Sequence, residues 1–322
     1  MSTATPAPAV QGYKRLPLSP EGKRLASKRT IFKSPRSQVI ISFPKSGKTD
    51  SMMDRPKFFI GDCEGGTDKF EGDNYSDLTQ FEGTEPFAMT KSGVFIPRGL
   101  YETCQELYRA NRMKLFNQLY QTFKETKSES VYNELVALIN EMPFPIFVTD
   151  TITSFKKLSD QAALAEYNNG IDPTKHKMDI RRVDNYGGAQ YIRAKVEDIK
   201  SFIEKNAAPF IVYNGHIKMK KSVLSKSDEE INAVDLALEG QLPLIFTHSA
   251  EAVAIFYRNE QGCFLDYRKK SEDDLDARPR HLGNRLIKIS ELHTYDVDEH
   301  GEQFLVEKGK TYWDRVYPEL KF

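Results

Sequence analysis

Short apolar runs separated by longer amphipathic segments dominate the first two-thirds of the chain. Such runs predict strands that are covered on both faces, because these strands lack an alternation of polar and apolar positions. The predicted strands are 38–43, 57–62, 144–151 and 209–218, and a hairpin is predicted over 251–269 about the turn Asn259–Gly262.

Helices are predicted between these strands. Apolar residues recur at helical spacing from Tyr101 to Asn140, which predicts two helices with a break near "ETKSES". Residues 66–100 show no sustained period and are expected to follow the surface. The alternation of strand and helix over 38–218 predicts an α/β fold with a mostly parallel sheet and right-handed crossovers, and an antiparallel β extension is expected at 286–322. The other predicted helices are 48–54, 154–168 and 188–206.

The net charge of zero conceals an uneven distribution. Residues 1–37 contain eight Lys or Arg and one acid, a net charge of +7, so the remainder carries −7. This composition predicts a disordered basic tail at 1–37 ahead of a folded domain at 38–322. Two interpretations of the tail stay open, an arm for a polyanion and a solvated leader.

The cysteine and hydropathy patterns bear on location. Cys63, Cys104 and Cys263 are far apart and odd in number, which favours a reducing compartment such as the cytoplasm over a disulfide framework or a zinc site. The apolar runs are too short to span a bilayer, so no membrane partner is expected. The N-terminus lacks a basic region followed by an apolar stretch, so no secretory signal is expected.

A phosphate-binding loop is the strongest chemical signal. "SFPKSGKT" follows an apolar strand and precedes a helix, and it matches G-x-x-x-x-G-K-[ST] except that Ser42 stands where the first glycine belongs. Lys48 is expected to reach the outer phosphates and Thr49 to bind magnesium. Because Ser42 is small, the loop is expected to close around phosphates, and a degenerate loop that binds nothing is the alternative. The predicted nucleotide-binding residues are Ser42, Pro44, Lys45, Ser46, Gly47, Lys48, Thr49 and Asp50.

Carboxylates follow two of the predicted strands. Asp150 ends "PIFVTD", which places it beside the loop in a parallel sheet and favours a role at magnesium over simple helix capping. Glu64, in "GDCEGG", could polarise the water that attacks the terminal phosphate, or it could be an exposed turn acid. Asp62 competes with Glu64 for the catalytic role.

The ordered motifs resemble a known family. The loop, "FFIGDCEGG", "IFVTDTITSF" and "IVYNGHIKMK" occur in the order of RecA-like ATPase cores. "GGAQ", "LPLIFTHSAEAVAIFYR", "ARPRHLGN" and "YWDRVYPEL" bring the chain closer to phage-encoded RecA-like nucleotide-binding proteins, some of which act in single-strand annealing and recombination. The resemblance covers roughly residues 38–320 and implies a RecA-like P-loop NTPase core.

The resemblance also implies roles for single residues. Glu64 becomes the catalytic carboxylate and Asp150 the magnesium-associated acid. His216 becomes the sensor of the terminal phosphate, where recombinases commonly have an amide. Arg278 is implied to act as an arginine finger on a neighbouring subunit, with a packing role for it and for Arg280 and Arg285 as the alternative.

A DNA-binding segment is implied at 218–231, where RecA-like proteins have a mobile loop. Its candidate DNA-binding lysines are Lys218, Lys220, Lys221 and Lys226, and a merely solvated charged loop is the alternative. The aromatic residues near the C-terminus could stack on bases, but they are expected to seal the edge of the core instead. These residues are Tyr312, Trp313 and Tyr317.

The sequence therefore predicts a magnesium-dependent RecA-like ATPase that acts on single-stranded DNA in phage recombination, annealing or replication. Its expected cofactors are ATP and magnesium, and its expected partners are single-stranded DNA and further copies of the chain. A single-strand DNA-binding protein is a further candidate partner, and the expected location is the cytoplasm, that of the host if the chain is phage-encoded. Two alternatives stay open: a small-molecule P-loop kinase, and a nucleotide-binding scaffold without turnover.

Overall fold

A computed structural model describes most of the chain after its first 31 residues. The described ranges are 32–53, 55–64, 72–183, 187–223, 230–260, 262–268, 276–289, 293–297, 303–308 and 312–322. The strands are β1 (Ser37–Ser42), β2 (Phe58–Asp62), β3 (Tyr75–Asp77), β4 (Phe87–Met89), β5 (Phe95–Pro97), β6 (Ile146–Asp150), β7 (Phe210–Val223), β8 (Glu230–Leu236), β9 (Ala252–Asn259), β10 (Gly262–Asp266), β11 (Asp276–Ala277), β12 (Leu286–Ile289), β13 (His293–Val297) and β14 (Gln303–Lys308). The α-helices are α1 (Asp50–Met53), α2 (Arg98–Ala110), α3 (Met113–Thr126), α4 (Glu129–Glu141), α5 (Ile152–Asn168), α6 (Gly187–Asn206), α7 (Leu242–Thr247) and α8 (Tyr312–Val316).

Parallel strands form the centre of the sheet, in the order β3-β2-β6-β7-β1-β9. Every residue of β1 and β6 is buried, as expected of apolar strands covered on both faces. One face is covered by residues of α2, α5, α6 and α7, and the other by residues of α3, α4 and α8. The predicted α/β fold with a parallel core is therefore confirmed.

Antiparallel strands extend the sheet beyond β9. β10 pairs with β9, and β12, β13 and β14 follow in order. The turn between β9 and β10 lies where the sequence predicts a hairpin. The antiparallel C-terminal extension is therefore confirmed as well.

The helical region after Tyr101 contains three helices where the sequence predicts two. The predicted break occurs at Lys127, which adopts a left-handed conformation (φ 52°). A second break occurs at Arg112 (φ 51°), and the Asn111 amide stabilises it by donating to the carbonyl oxygens of Phe144 and Ala207. These partners are distant in sequence, so helical periodicity continues through the break and does not reveal it.

The expectation that residues 66–100 only follow the surface is wrong for the described part of that segment. β3 pairs in parallel with β2 and extends the sheet, and β4 and β5 form a separate antiparallel pair. Leu78 and Ile96 are buried in the core. These strands have three residues each, too few to produce a recognisable period.

The predicted boundary of the basic tail at residue 37 falls inside the packed chain. Ser37 begins β1, and the Phe32 ring stacks on that of Phe210 at 5.8 Å. Glu319, 5% exposed, accepts from the main-chain N–H groups of Lys33 and Ser34 and from the Ser34 hydroxyl. The rest of the predicted tail, residues 1–31, lies outside the described residues.

Strand β7 is longer than predicted, and it changes the picture of the segment 218–231. β7 continues to Val223 and pairs antiparallel with β8, from Ile217 opposite Leu236 to Val223 opposite Glu230. The described ends of the expected mobile loop are thus the two strands of a β-hairpin, and 224–229 lie outside the described residues. The expectation of a mobile loop is therefore wrong for residues 218–223 and 230–231, which form paired strands.

Trp313 and Tyr317 seal the core, as expected, and the side chain of Tyr312 lies outside the described part of the structure. Trp313 and Tyr317 are fully buried, and the indole N–H of Trp313 donates to the Ser51 carbonyl at 3.2 Å. Within the described residues, no helix combines the length and the apolar character needed to cross a membrane.

Candidate nucleotide-binding site

The predicted phosphate loop leaves the carboxyl end of β1 and borders a cleft of about 510 Å³. The strand order places β7 between β1 and β6, so the ends of three neighbouring strands meet there. Ligands of open α/β sheets bind at this edge. The lining residues are Ser42, Phe43, Pro44, Lys45, Ser46, Gly47, Lys48, Thr49, Asp62, Glu64, Asp150, Thr151 and His216.

Ser42 is the last residue of β1, and this explains how serine replaces glycine there. It pairs in register with His216 on β7 and with Phe256 on β9. The left-handed residues of the loop come later, at Lys45 (φ 61°) and Gly47 (φ 85°). The backbone of the first motif position is therefore ordinary strand, which any residue adopts.

Lys48 is buried beneath the loop. Its ammonium donates to the Gly215 carbonyl of β7 at 3.0 Å. Burial lowers the pKa of Lys48, and the negative charges of Asp150 and Glu64 oppose that shift. The side chain is thus a cation held between the loop, β7 and the acids of the neighbouring strands.

Asp150 lies opposite the loop, at the end of β6. The Thr49 hydroxyl donates to its Oδ2 at 2.5 Å, whereas its buried Oδ1 has no hydrogen-bond partner among the described residues. Burial raises the pKa of Asp150, and Lys48, Thr49 and Asn214 act against that shift. One carboxylate oxygen therefore remains available to a ligand.

Glu64 lies beside Asp150, because β2 pairs with β6 in a register that sets Asp62 opposite Asp150. The Glu64 carboxylate oxygen Oε1 accepts from the hydroxyls of Thr151 (2.5 Å) and Ser154 (2.9 Å). The same oxygen lies 4.0 Å from Nε2 of His216. Asp62 is almost fully buried, and its Oδ1 accepts from the Glu64 main-chain N–H at 2.7 Å.

Sequence reasoning missed several contributors to the cleft. Thr151 and Ser154 contact Glu64, Asn214 acts on Asp150, and Gly215 accepts from Lys48. Thr151 follows the end of an apolar strand directly, and that position was the available signal. The other three depend on which strands and helices are neighbours.

Other predicted residues lie away from this cleft. The main-chain N–H of Arg278 donates to Glu251, whose own N–H donates to Ser37 at the amino end of β1, the edge opposite the loop. Arg280 and Arg285 follow in the same exposed turn region. Arg278 therefore cannot serve the cleft of its own chain, and its role on a neighbour stays a prediction.

The candidate DNA-binding residues lie on β7 beyond the site. Lys218, Lys220 and Lys221 belong to this strand, and Lys226 lies outside the described residues. Asp50 begins α1 directly after the loop. The DNA-binding and nucleotide-binding roles of these residues stay predictions.

Comparisons with known proteins do not assign the chain to a family. No protein-family model matches the chain, and no curated protein matches it. A solved structure described as "Crystal structure of the RadB recombinase" is similar over 85% of this chain and 92% of that chain, with 11% identity and a TM-score of 0.28. A likeness at this score says nothing of function.

The fold is an α/β core. A parallel sheet carries a phosphate-loop sequence after β1 and acids after β2 and β6, and antiparallel strands complete the C-terminal side. This is the arrangement that the order of the motifs predicts.

Proposed function

We propose that the protein is a magnesium-dependent RecA-like ATPase that acts on single-stranded DNA in recombination, annealing or replication, as an oligomer of identical chains. The observation that carries the proposal is the convergence of Lys48, Thr49, Asp150 and Glu64 on one cleft. A cation, a hydroxyl and two carboxylates in this arrangement match the needs of phosphoryl transfer to water. A phage origin rests on the motif resemblance alone.

Magnesium fits the residues present. Thr49 and Asp150 would hold it, because their oxygens adjoin and Asp150 Oδ1 is buried without a partner among the described residues. In the described part of the chain no group of three His, Cys, Asp or Glu could hold a metal, which accords with an ion that also takes phosphate oxygens and water. When bound, magnesium would neutralise charge on the phosphates.

Other residues of the chain would bind the phosphates, orient the attacking water and sense the terminal phosphate. Main-chain N–H groups of the loop would bind phosphate oxygens, and Lys48 would move from the Gly215 carbonyl to the outer phosphates. Glu64 would accept a hydrogen bond from the attacking water and orient it. His216 is suited to sense the terminal phosphate, because its Nδ1 is buried with no partner among the described residues.

The DNA proposal depends on β7. This strand carries His216 at the cleft and continues without interruption into the hairpin with its lysines. One element would therefore contact both ligands, so that each favours the bound state of the other. Basic residues of a neighbour would complete the site in an oligomer.

The decisive experiment measures phosphate release and nucleotide products from purified protein with ATP and magnesium across a titration of single-stranded DNA. We expect hydrolysis that rises with DNA, and loss of that rise in the variant with both Lys220→Ala and Lys221→Ala. Transfer of phosphate to an added acceptor would indicate the kinase alternative. ATP binding without any product would indicate the scaffold.

A further inference from the structure

The main chain at Glu64 is fixed by two neighbouring strand ends. The Glu64 N–H donates to Asp62 Oδ1 at 2.7 Å, and the Cys63 N–H donates to the Asp150 carbonyl at 2.8 Å. Asp62 is 2% exposed, so its carboxylate has little freedom to move. The backbone that carries Glu64 is therefore tied to the end of β6.

The side chain of Glu64 is fixed by the first turn of α5. Thr151 and Ser154 both donate to the same oxygen, Oε1, at 2.5 and 2.9 Å. In the described structure, hydrogen bonds to the other carboxylate oxygen, Oε2, are not found, and the side chain is 39% exposed. The two oxygens of this carboxylate are thus in different environments.

The position of Thr151 makes this arrangement unusual. Thr151 is the N-cap residue of α5, where a hydroxyl normally accepts from a main-chain N–H of its own helix and stabilises it by about 1 kcal/mol. Its side chain makes no such capping bond here and donates to Glu64 instead. The start of α5 also favours a negative charge nearby, through the helix dipole.

We propose that Thr151 and Ser154 are positioning residues that hold Oε1 of Glu64 so that Oε2 faces the attacking water. This inference rests on the proposed ATPase function. A free glutamate samples several rotamers, and two hydroxyl donors on one oxygen restrict it to a single orientation. Asp62 is then a support for the Glu64 backbone, because its Oδ1 already accepts the Glu64 N–H.

The test compares Ser154→Ala with Ser159→Ala in the same helix. Both changes delete a hydroxyl, but Ser159 is buried and donates to the Phe155 carbonyl, away from Glu64. We expect Ser154→Ala to lower kcat roughly 10- to 100-fold while the Kd for ATP stays within about twofold, because misplacing a catalytic group costs rate rather than binding. Ser159→Ala should keep the wild-type kcat.

Position 151 provides a conservative rescue. Thr151→Val removes the hydroxyl and should lower kcat, whereas Thr151→Ser keeps a donor and should restore most of it. Circular dichroism on each variant separates misfolding from misplacement. In the background of Glu64→Gln, which should bind ATP and keep only a residual kcat, adding Ser154→Ala should not lower that residual kcat further, since both changes act through one carboxylate.

The outcomes separate this inference from the proposed function. A wild-type protein that binds ATP but never releases phosphate overturns the ATPase proposal, and the inference with it. Turnover by wild type and by Ser154→Ala at equal kcat overturns only the inference. Loss of ATP affinity with kcat unchanged would also overturn it, because the hydroxyls would then support nucleotide binding.

Discussion

Lys48 and Asp150 are buried charges whose ionisation is disfavoured in the protein without ligand. Burial lowers the pKa of the lysine and raises that of the aspartate, although each partly neutralises the other. Keeping these two side chains ionised and buried lowers the stability of the folded protein. Buried groups with shifted pKa values are concentrated at functional sites. A ligand with both phosphate and magnesium would satisfy both charges.

Replacement of Lys48 by Ala should weaken ATP binding by roughly 10- to 100-fold, because a charge-assisted hydrogen bond contributes about 1.5–3 kcal/mol. The fold should persist, since the described side-chain bond lost is the one to the Gly215 carbonyl. Isothermal titration measures the affinity, and Lys114→Ala, an exposed lysine on α3, is the control. Unchanged affinity in folded Lys48→Ala would refute the assignment of the site.

Replacement of Asp150 by Asn should separate stability from function. The pKa of Asp150 is raised in the folded protein, so the stability of the ligand-free protein declines as the pH rises from the unfolded pKa through the raised one. Asn carries no charge, so the ligand-free variant should have a Tm at neutral pH equal to or above that of wild type. Its affinity for ATP with magnesium should fall. A Tm several degrees lower would show that the Asp150 charge stabilises the empty protein.

At this scale the sequence predicts the residues that end apolar runs. Asp150 ends one strand, and Lys48 and Thr49 belong to the loop that follows another, so strand assignment alone brings them to one edge. Ser154 and Gly215 could not be found this way, because their contacts depend on α5 beginning beside Glu64 and on Lys48 reaching β7.

At the scale of elements, β7 connects the cleft with the hairpin. Gly215 lies where a Cβ atom would come within 2.2 Å of Leu236 Cδ1, and Leu236 is fully buried at the end of β8. The His216 carbonyl accepts from the Ala237 N–H at 2.8 Å, which fixes the base of the hairpin. Close packing at Gly215 therefore couples β7, whose Gly215 carbonyl accepts from Lys48, to β8, the second strand of the hairpin.

Replacement of Gly215 by Ala should displace Leu236, destabilise the protein by about 1–3 kcal/mol and reduce the stimulation of hydrolysis by DNA. In the double variant with Leu236→Ala, the smaller side chain provides the missing space. The two losses in stability should then sum to more than the loss in the double variant, by roughly 0.5–3 kcal/mol. Urea denaturation of the four proteins measures this coupling, and simple additivity would refute the proposed contact.

Elements were predictable where their patterns were long. The strands at β1, β2 and β6 and the helices α5 and α6 lie close to their predicted bounds. The extension of β7 to Val223 was not predictable, since "KMKKSV" is polar and its pairing with β8 is a tertiary contact. The strands β3 to β5 were not predictable for a different reason: with three residues each, they are too short to show a period.

At the scale of the whole molecule, the charge is uneven: residues 1–31 have a net positive charge and the remainder of the chain has a net negative charge. Residues 1–31 contain six Lys or Arg and one acid, whereas Lys33 and Arg36 belong to the packed segment. Arg36 lies over the rings of Tyr120 and Phe116, at 4.4 and 4.8 Å. The packing of the last six residues of the predicted tail was not visible in the sequence, because Glu319 and the aromatic partners are distant along the chain.

If residues 1–31 are the disordered tail that the composition predicts, their deletion should leave the Tm unchanged, whereas deletion of 1–37 should destabilise the protein by about 3 kcal/mol through loss of the ring contacts of the partly buried Phe32. If the tail is an arm for single-stranded DNA, the shorter deletion should also flatten the slope of log K against log salt by up to about 4, since each of six cations releases about 0.7 counterion. Fluorescence anisotropy with labelled DNA at several salt concentrations measures the slope for full-length and truncated protein. Superimposable titrations would identify the tail as a leader, and an equal loss of Tm in both truncations would contradict the packing of residues 32–37.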